Sequence, residues 1–401
     1  MVDTKIPERT LLLLLAAVHF THIMDFMVMM PLGPQLMRLF HIEPDQFSML
    51  VAVYTFSAAI AGFAGAFFLD RYDRKQALLF CYAGFLLGTL GCALSPDYHT
   101  LLIARIVSGA FGGVSGATVL TIVGDIIPPQ RRASGFGIVM TSFAVASVVG
   151  VPVGLWLAAK WSWHMPFLMI AGLGLFIWLA FWFKFPSLRE HLSHVGSKSR
   201  QAYDGLKEIL TSKNTLTALA FMVMMICGHF IIIPFLSPSM VANAGMKEEE
   251  LSFIYLAGGI ASLLTAPLIG KLADRHGRLK LYVLTILGAL APIYLITHQE
   301  PTHLFSILFI AAIFFIFAGG RFIPGQAIIA SSVPARLRGS FMSLNSSVRD
   351  LASGGASLLG GHIIVKDMAT GKLLHYPTLG WIAIGASLLS ILIASRVKAV
   401  S

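Results

Sequence analysis

Asp25 stands in the run His19-Phe20-Thr21-His22-Ile23-Met24-Asp25, inside a stretch that is otherwise apolar from Leu11 past Met30. On a helix, His22 and Thr21 lie three and four residues before it on the same face. A carboxyl so placed exchanges its proton as its surroundings turn from water to low dielectric and back, or as a cation approaches and leaves. Arg105, Arg321, Arg349 and Asp350 are the other charges that interrupt apolar runs. Each costs at least about 2.5 kcal/mol at a bilayer centre and calls for a partner or a water-filled cavity. Arg349 and Asp350 are adjacent, so on a helix they point about 100° apart and are not expected to neutralise each other face to face.

The elements that carry these charges are set by composition. Of 401 residues, 56% are hydrophobic and only 12% charged, with a mean hydropathy of +0.79. Soluble domains hold roughly 25% charged residues, so the chain reads as a polytopic membrane protein. A span needs roughly 20 apolar residues. Charge clusters and Pro/Gly punctuation mark twelve spans, beginning near Leu11, Phe47, Ala77, Leu101, Ala133, Met165, Thr215, Leu251, Leu279, Leu304, Gly339 and Thr378. The polar stretch from Pro186 to Asn214 separates two halves and includes a short amphipathic pattern from Tyr203 to Leu210. Domain boundaries follow: a bundle over 1–185, a linker over 186–213 and a second bundle over 214–401.

Basic residues orient the chain. With the N-terminus inside, 21 Lys and Arg fall on that side and 5 on the other, while Arg105, Arg321 and Arg349 lie within spans. The asymmetry places both termini in the cytoplasm and accounts for the net charge of +10 without nucleic acid. The three cysteines provide no disulfide framework, since Cys81 and Cys92 are about 16 Å apart on one helix.

The halves repeat. Asp70-Arg71-Tyr72-Asp73-Arg74-Lys75 follows the second span, and Asp274-Arg275-His276-Gly277-Arg278 follows the eighth. Asp70 and Asp274 are 204 residues apart, and Pro128 and Pro334 are offset by 206. Parallel six-helix repeats are a known plan of secondary transporters. Under the same shift Asp25 corresponds to His229, so the two could face one cavity from opposite halves.

On these residues the chain resembles the major facilitator superfamily over nearly its whole length. Asp70-Arg71 with Arg74-Lys75 is similar to the family's loop signature, and Arg105 with Gly109 resembles its fourth-helix motif. Gly150-Val151-Pro152-Val153-Gly154 resembles the fifth-helix antiporter motif in the form found in arabinose-efflux-like members of the drug:proton antiporter branch, with an inserted valine. Ala66 and Asp73 replace positions where the family usually has glycine.

The resemblance implies an all-α membrane protein of twelve transmembrane helices in two pseudo-symmetric six-helix bundles, rocking about a central cavity. It implies Arg105 as the partner of Asp25, so that proton movement is coupled to the cycle by Asp25, Arg105 and His22. His229, Arg321, Arg349 and Asp350 are the candidate cavity residues, Arg321 being able to hold an anionic group. Asp70, Arg71, Arg74, Asp125, Asp274, Arg275 and Arg278 form the expected cytoplasmic gate. In it Asp70 approaches the positive end of the eleventh helix and Arg74 pairs with Asp125, contacts between the halves that hold one side shut. Gly150, Pro152 and Gly154 are the antiporter motif.

The expected activity is proton-coupled efflux of small amphipathic or neutral molecules, with no cofactor and no resident metal. The expected partners are the substrate, protons and lipid, and the working unit is a monomer in a prokaryotic inner membrane. Met24, Met27, Met29, Met30, Met222, Met224 and Met225 supply adaptable apolar surface on the first and seventh spans. Three alternatives stay open. One is transport of a divalent transition metal by His19, His22, Asp25, Cys227 and His229. A second is symport or proton-independent transport, and a third is an intramembrane enzyme based on His22 and Asp25. No Walker-type phosphate loop is present.

Overall fold

The computed structural model describes residues 7–68, 71–128, 131–189, 207–334 and 336–400. Nearly all of it is helix. The helices are α1 (Glu8–Met29), α2 (Gly33–Leu39), α3 (Pro44–Phe68), α4 (Arg74–Leu94), α5 (Tyr98–Ile126), α6 (Arg132–Val145), α7 (Val151–Lys160) and α8 (His164–Lys184). They continue as α9 (Lys213–Phe230), α10 (Leu236–Ala242), α11 (Leu251–His276), α12 (Arg278–Thr297), α13 (Leu304–Phe314), α14 (Phe322–Ser331), α15 (Arg338–Ile363) and α16 (Tyr376–Ala394).

The expected span starts fall within three residues of the observed helix starts. Among the described residues, eleven segments are long and apolar enough to cross a bilayer. The twelfth expected span is α15, whose 26 residues would cover about 39 Å. Its length suffices, but Arg349, Asp350 and a run of Ser and Gly make it too polar to count as lipid-facing on composition. Such a helix is stable in a membrane only with protein or water against its polar side. Of the expected linker helix, residues 207–211 are helical, and residues 203–206 lie outside the described residues.

The chain divides into two compact units, Met1–Val28 with Val53–Gln201, and Met29–Ala52 with Ala202–Ser401. The split differs from a simple cut at the linker because the segment from Met29 to Ala52 packs with the second half of the chain. There a Cβ on Gly33 would lie 2.8 Å from Phe47 and from Pro238, Phe47 meets Phe235 edge-on, and Arg38 forms a two-pronged ion pair with Glu248.

In the first unit α4 packs against α5 and α8. Glycine makes the close approach possible, since a Cβ on Gly88 would meet the Ser108 backbone nitrogen at 2.5 Å. Small residues let membrane helices approach in this way. The second unit repeats the plan, with α12 against α13 and α16. Its core is built on Phe221, Met222, Met225, Tyr282, Ile286 and Phe341. Of the seven methionines expected on the first and seventh spans, Met24, Met29, Met30, Met222 and Met225 are buried. Phe80, Phe176, Phe183, Leu264 and Phe305 are at least 70% exposed and form outward apolar surface.

Two helices are interrupted by five-residue π turns, Ala146–Gly150 before α7 and Phe315–Gly319 before α14. Each precedes a proline, Pro152 and Pro324, that has no N–H to offer the carbonyl four residues back. The ladder widens there instead of breaking. A two-residue hairpin, Val365–Lys366 with Leu373–Leu374, joins α15 to α16 and was not expected. Asn243 fastens it by donating to the Leu373 carbonyl and accepting from its N–H, at 3.0 and 2.8 Å.

Candidate functional site

The loops of the repeated motif come first, because they set the helix ends. Asp73 caps α4 by accepting from the Lys75 N–H at 2.9 Å. The same carboxylate accepts from Ser187, from the Leu188 N–H at 3.0 Å and from Arg189 at 3.1 Å. Burial acts to push this carboxyl up, but these hydrogen bonds together hold it below the ordinary value of 3.8. In the second copy Gly277 occupies the corresponding place and turns the chain with φ +96°, a conformation glycine adopts without strain.

Arg74 and Asp125 pair as expected, Nε to Oδ2 at 3.2 Å. Both belong to the first unit, so this pair ties α4 to α5. That corrects the expectation of a latch between halves. The reason is geometric: Arg74 opens α4 beside the last turn of α5, which carries Asp125. Asp70 lies outside the described residues. Arg71 is exposed, as are Asp274, Arg275 and Arg278. Arg278 donates to the Ala327 carbonyl at 3.2 Å, which ties α12 to α14.

Asp25 on α1 is fully buried and bonded. Arg105 Nη1 reaches its Oδ2 at 2.8 Å and its carbonyl at 3.3 Å, and Thr89 on α4 donates to Oδ1 at 3.1 Å. The Arg105 guanidinium lies over the Tyr54 ring, 4.0 Å from its centre. Asp25, Thr89 and Arg105 have no exposed surface. The carboxylate is thus held by a charge, a hydroxyl and, through Arg105, an aromatic face.

His22 does not complete this set. Its ring lies against Tyr54 and Phe85 and over Gly112, where a Cβ would come within 2.7 Å. Asp25 instead bonds to Thr89 and Arg105. Thr21 is likewise turned away, sharing a hydrogen bond with Tyr82 at 2.9 Å. Three- and four-residue spacing placed both on the same face, but each side chain is drawn off by a different neighbour.

The antiporter-like motif supports α1. A Cβ on Gly150 would lie 3.1 Å from the Met24 sulfur, and one on Gly154 would lie 3.0 Å from Val28. Both glycines therefore let the π turn and α7 close on α1 beside Asp25, and Pro152 follows that turn.

The second unit holds the other cluster. Arg321 follows the π turn before α14, is fully buried, and donates through Nη1 to Ser387 Oγ at 2.9 Å. Among the described residues its Nε and Nη2 have no acceptor. The Phe322 ring lies 5.7 Å from its Cζ. His229 on α9 contacts the same ring at 5.1 Å and also the rings of Phe230 and Phe314. Tyr282 and Ser390 share a hydrogen bond of 2.7 Å alongside.

Arg349 and Asp350 on α15 contradict the expectation that neighbours on a helix stay apart. Arg349 Nε donates to Asp350 Oδ1 at 3.0 Å and its Nη2 to Ser346 at 3.2 Å. The Cβ directions differ, but the long arginine side chain folds back along the helix and bridges the gap. Among the described residues, no three His, Cys, Asp or Glu side chains converge as a metal site.

Tyr54, Thr89 and Ser387 were missed from the sequence. A lone tyrosine, threonine or serine in an apolar span leaves no periodic trace, and only their partners reveal them.

Helices of bilayer length in two similarly packed units, the first enclosing the buried Asp25–Arg105 pair, describe a multi-pass membrane protein. The sequence pattern of the Major Facilitator Superfamily matches residues 15–228 and again 221–399, and the chain belongs to that family. The inner membrane transport protein YdhP of Escherichia coli (strain K12) is 24% identical over 355 residues, covering 87% of this chain and 86% of that protein. AraJ of the same strain is 28% identical over 240 residues, 59% of this chain and 58% of its own. Among solved structures, a D-xylose-proton symporter superposes with TM-score 0.76 at 16% identity over 98% and 99% of the two chains. The nucleoside transporter NupG gives 0.75 at 14% over 96% and 99%. These likenesses confirm the expected fold. The family and the relatives are transporters, not enzymes, which removes the intramembrane-enzyme reading.

Proposed function

We propose that this chain exports small amphipathic molecules in exchange for protons, with Asp25 as the group that takes up and releases H⁺. The observation that carries the reading is the sealed Asp25–Arg105 pair with Thr89. Arginine stays protonated in proteins, so a proton arriving at Asp25 turns a neutral ion pair into an uncompensated cation. That state is costly in a dry interior and favours opening to water. Release of the proton restores the pair and favours closure. The equilibrium shifts because the two protonation states differ in their interaction with Arg105.

Export rather than uptake rests on the likeness of Gly150, Pro152 and Gly154 to the antiporter motif. The relative called an inner membrane transport protein and the excess of basic residues on one side support a prokaryotic inner membrane with both termini cytoplasmic. A monomer with functional bundles over 1–185 and 214–401 is the proposed working unit.

Thermal-shift screening of amphiphiles and sugars selects a ligand, whose flux in proteoliposomes is then measured with and without an imposed pH gradient. The gradient accelerates export by the parent protein, while Asp25→Asn exchanges the ligand but does not respond. A gradient response equal to the parent's in Asp25→Asn removes Asp25 from the role. Acceleration in the uptake direction identifies a symporter.

A further inference from the structure

The two units solve the problem of a buried arginine differently. In the first, α1 supplies Asp25 to Arg105 at 2.8 Å, so that charge is compensated although its Nε and Nη2, like those of Arg321, have no hydrogen-bond partner among the described residues. In the second, the position 204 residues beyond Asp25 is His229, and among the described residues no carboxylate pairs with Arg321. Arg321 is nevertheless as deeply buried as Arg105. Its hydrogen-bond partner is the neutral Ser387 hydroxyl, which reaches it because Gly228 lets α16 close on α9, a Cβ there meeting Ser387 Oγ at 2.9 Å.

A sealed guanidinium without a counter-charge is a standing cost, and the atoms left open say what would relieve it. Nε–H and one Nη2–H lie side by side on one edge of the guanidinium. That edge matches the two oxygens of a carboxylate, giving a pair of parallel charge-assisted bonds. The Phe322 ring beside the guanidinium, 5.7 Å from its Cζ, offers apolar contact for the rest of such a molecule. From this arrangement we infer that the open edge of Arg321 receives the carboxylate of the transported compound, an amphipathic organic acid. The inference rests on the transporter reading above and narrows its substrate class.

The test is binding to purified full-length protein, with benzoate, cinnamate and octanoate as probes, their amides as neutral controls and chloride as the inorganic control. At least one acid raises the thermal midpoint of the parent above its amide and above equimolar chloride. Equilibrium dialysis with the labelled acid shows at least tenfold weaker binding in Arg321→Gln, with Arg131→Gln unchanged. Removing an uncompensated cation is not expected to unfold the protein. If Arg321→Gln fails to fold, Arg321→Lys keeps the charge and loses the edge, and the same tenfold loss is expected. The inference is overturned if the amides do as well as the acids, if chloride does as well, if no acid binds, or if the folded variant binds like the parent. Gradient-driven flux of a neutral screening hit, alongside any of these results, would leave the transport reading standing and remove only this inference.

Discussion

At the scale of single residues, the Asp25 cluster makes a measurable statement about energy. Removing one member of a buried ion pair typically costs about 3–5 kcal/mol, because the other charge is left without compensation. Arg105→Gln should therefore lower stability by roughly that amount, and pairing it with Asp25→Asn should recover much of the loss. Thermal midpoints of both single variants and the double variant close the cycle, and additive effects would mean that the two side chains do not interact. Thr89→Val removes a hydroxyl donor to a carboxylate and should cost about 1.5–3 kcal/mol, read in the same assay. Only part of this cluster was legible beforehand. Asp25 announced itself as an acid in an apolar run. Its partner Arg105 came through the family likeness rather than from spacing, and Thr89 and Tyr54 from nothing in the sequence. Spacing did not show where the His22 ring would lie, because helical spacing fixes where a Cβ points, while the imidazole's packing is decided by Tyr54, Phe85 and the bare face of Gly112.

At the scale of elements, helix ends and helix contacts carry the predictions. The Asp73 carboxylate both caps α4 and holds the segment after α8 through Ser187, Leu188 and Arg189. Its proton affinity is lowered by folding, so its contribution is present above the ordinary carboxylate value of 3.8 and is lost as pH falls through the still lower value in the folded protein. Asp73→Asn should thus reduce the thermal midpoint at neutral pH by the equivalent of about 1 kcal/mol. The gap to the parent should narrow as the buffer is taken below pH 4, and a gap independent of pH would refute the assignment. Helix packing gives a second contrast. Gly88→Ala places a methyl 2.5 Å from the Ser108 backbone and should cost about 1–3 kcal/mol, whereas Gly172→Ala meets nothing within 4 Å and should be near neutral. The span boundaries were readable because lipid leaves only apolar runs between charge clusters. α15 and the hairpin after it were less so: the former carries Arg349, Asp350 and many Ser and Gly, which dilute its apolar signal, and the latter is fixed by Asn243, more than a hundred residues away in sequence.

At the scale of the whole molecule, the duplicated plan was visible in Asp70 and Asp274, and again in the prolines at 128 and 334, because charged and proline-bearing loops stand out from apolar helices that resemble one another in composition. What duplication could not show is that Met29–Ala52 belongs to the second compact unit. Its contacts there combine apolar packing at Gly33, Phe47, Pro238 and Phe235 with the Arg38–Glu248 ion pair. Arg38 is largely exposed, and exposed pairs contribute about 0–1 kcal/mol, so Glu248→Gln should shift the thermal midpoint little. Gly33→Leu, which drives a side chain into Phe47 and Pro238, should shift it several-fold more. Equal effects would place the grip of this segment in charge rather than in packing.

The lone positive charge of Arg321 also bears on energetics at the cell envelope. If it binds a monoanion that leaves while one H⁺ enters, each cycle shifts two elementary charges in the same electrical sense. A negative cell interior then adds about 4.6 kcal/mol per 100 mV to the outward drive, so voltage alone, with no difference in acidity, would be enough to pump.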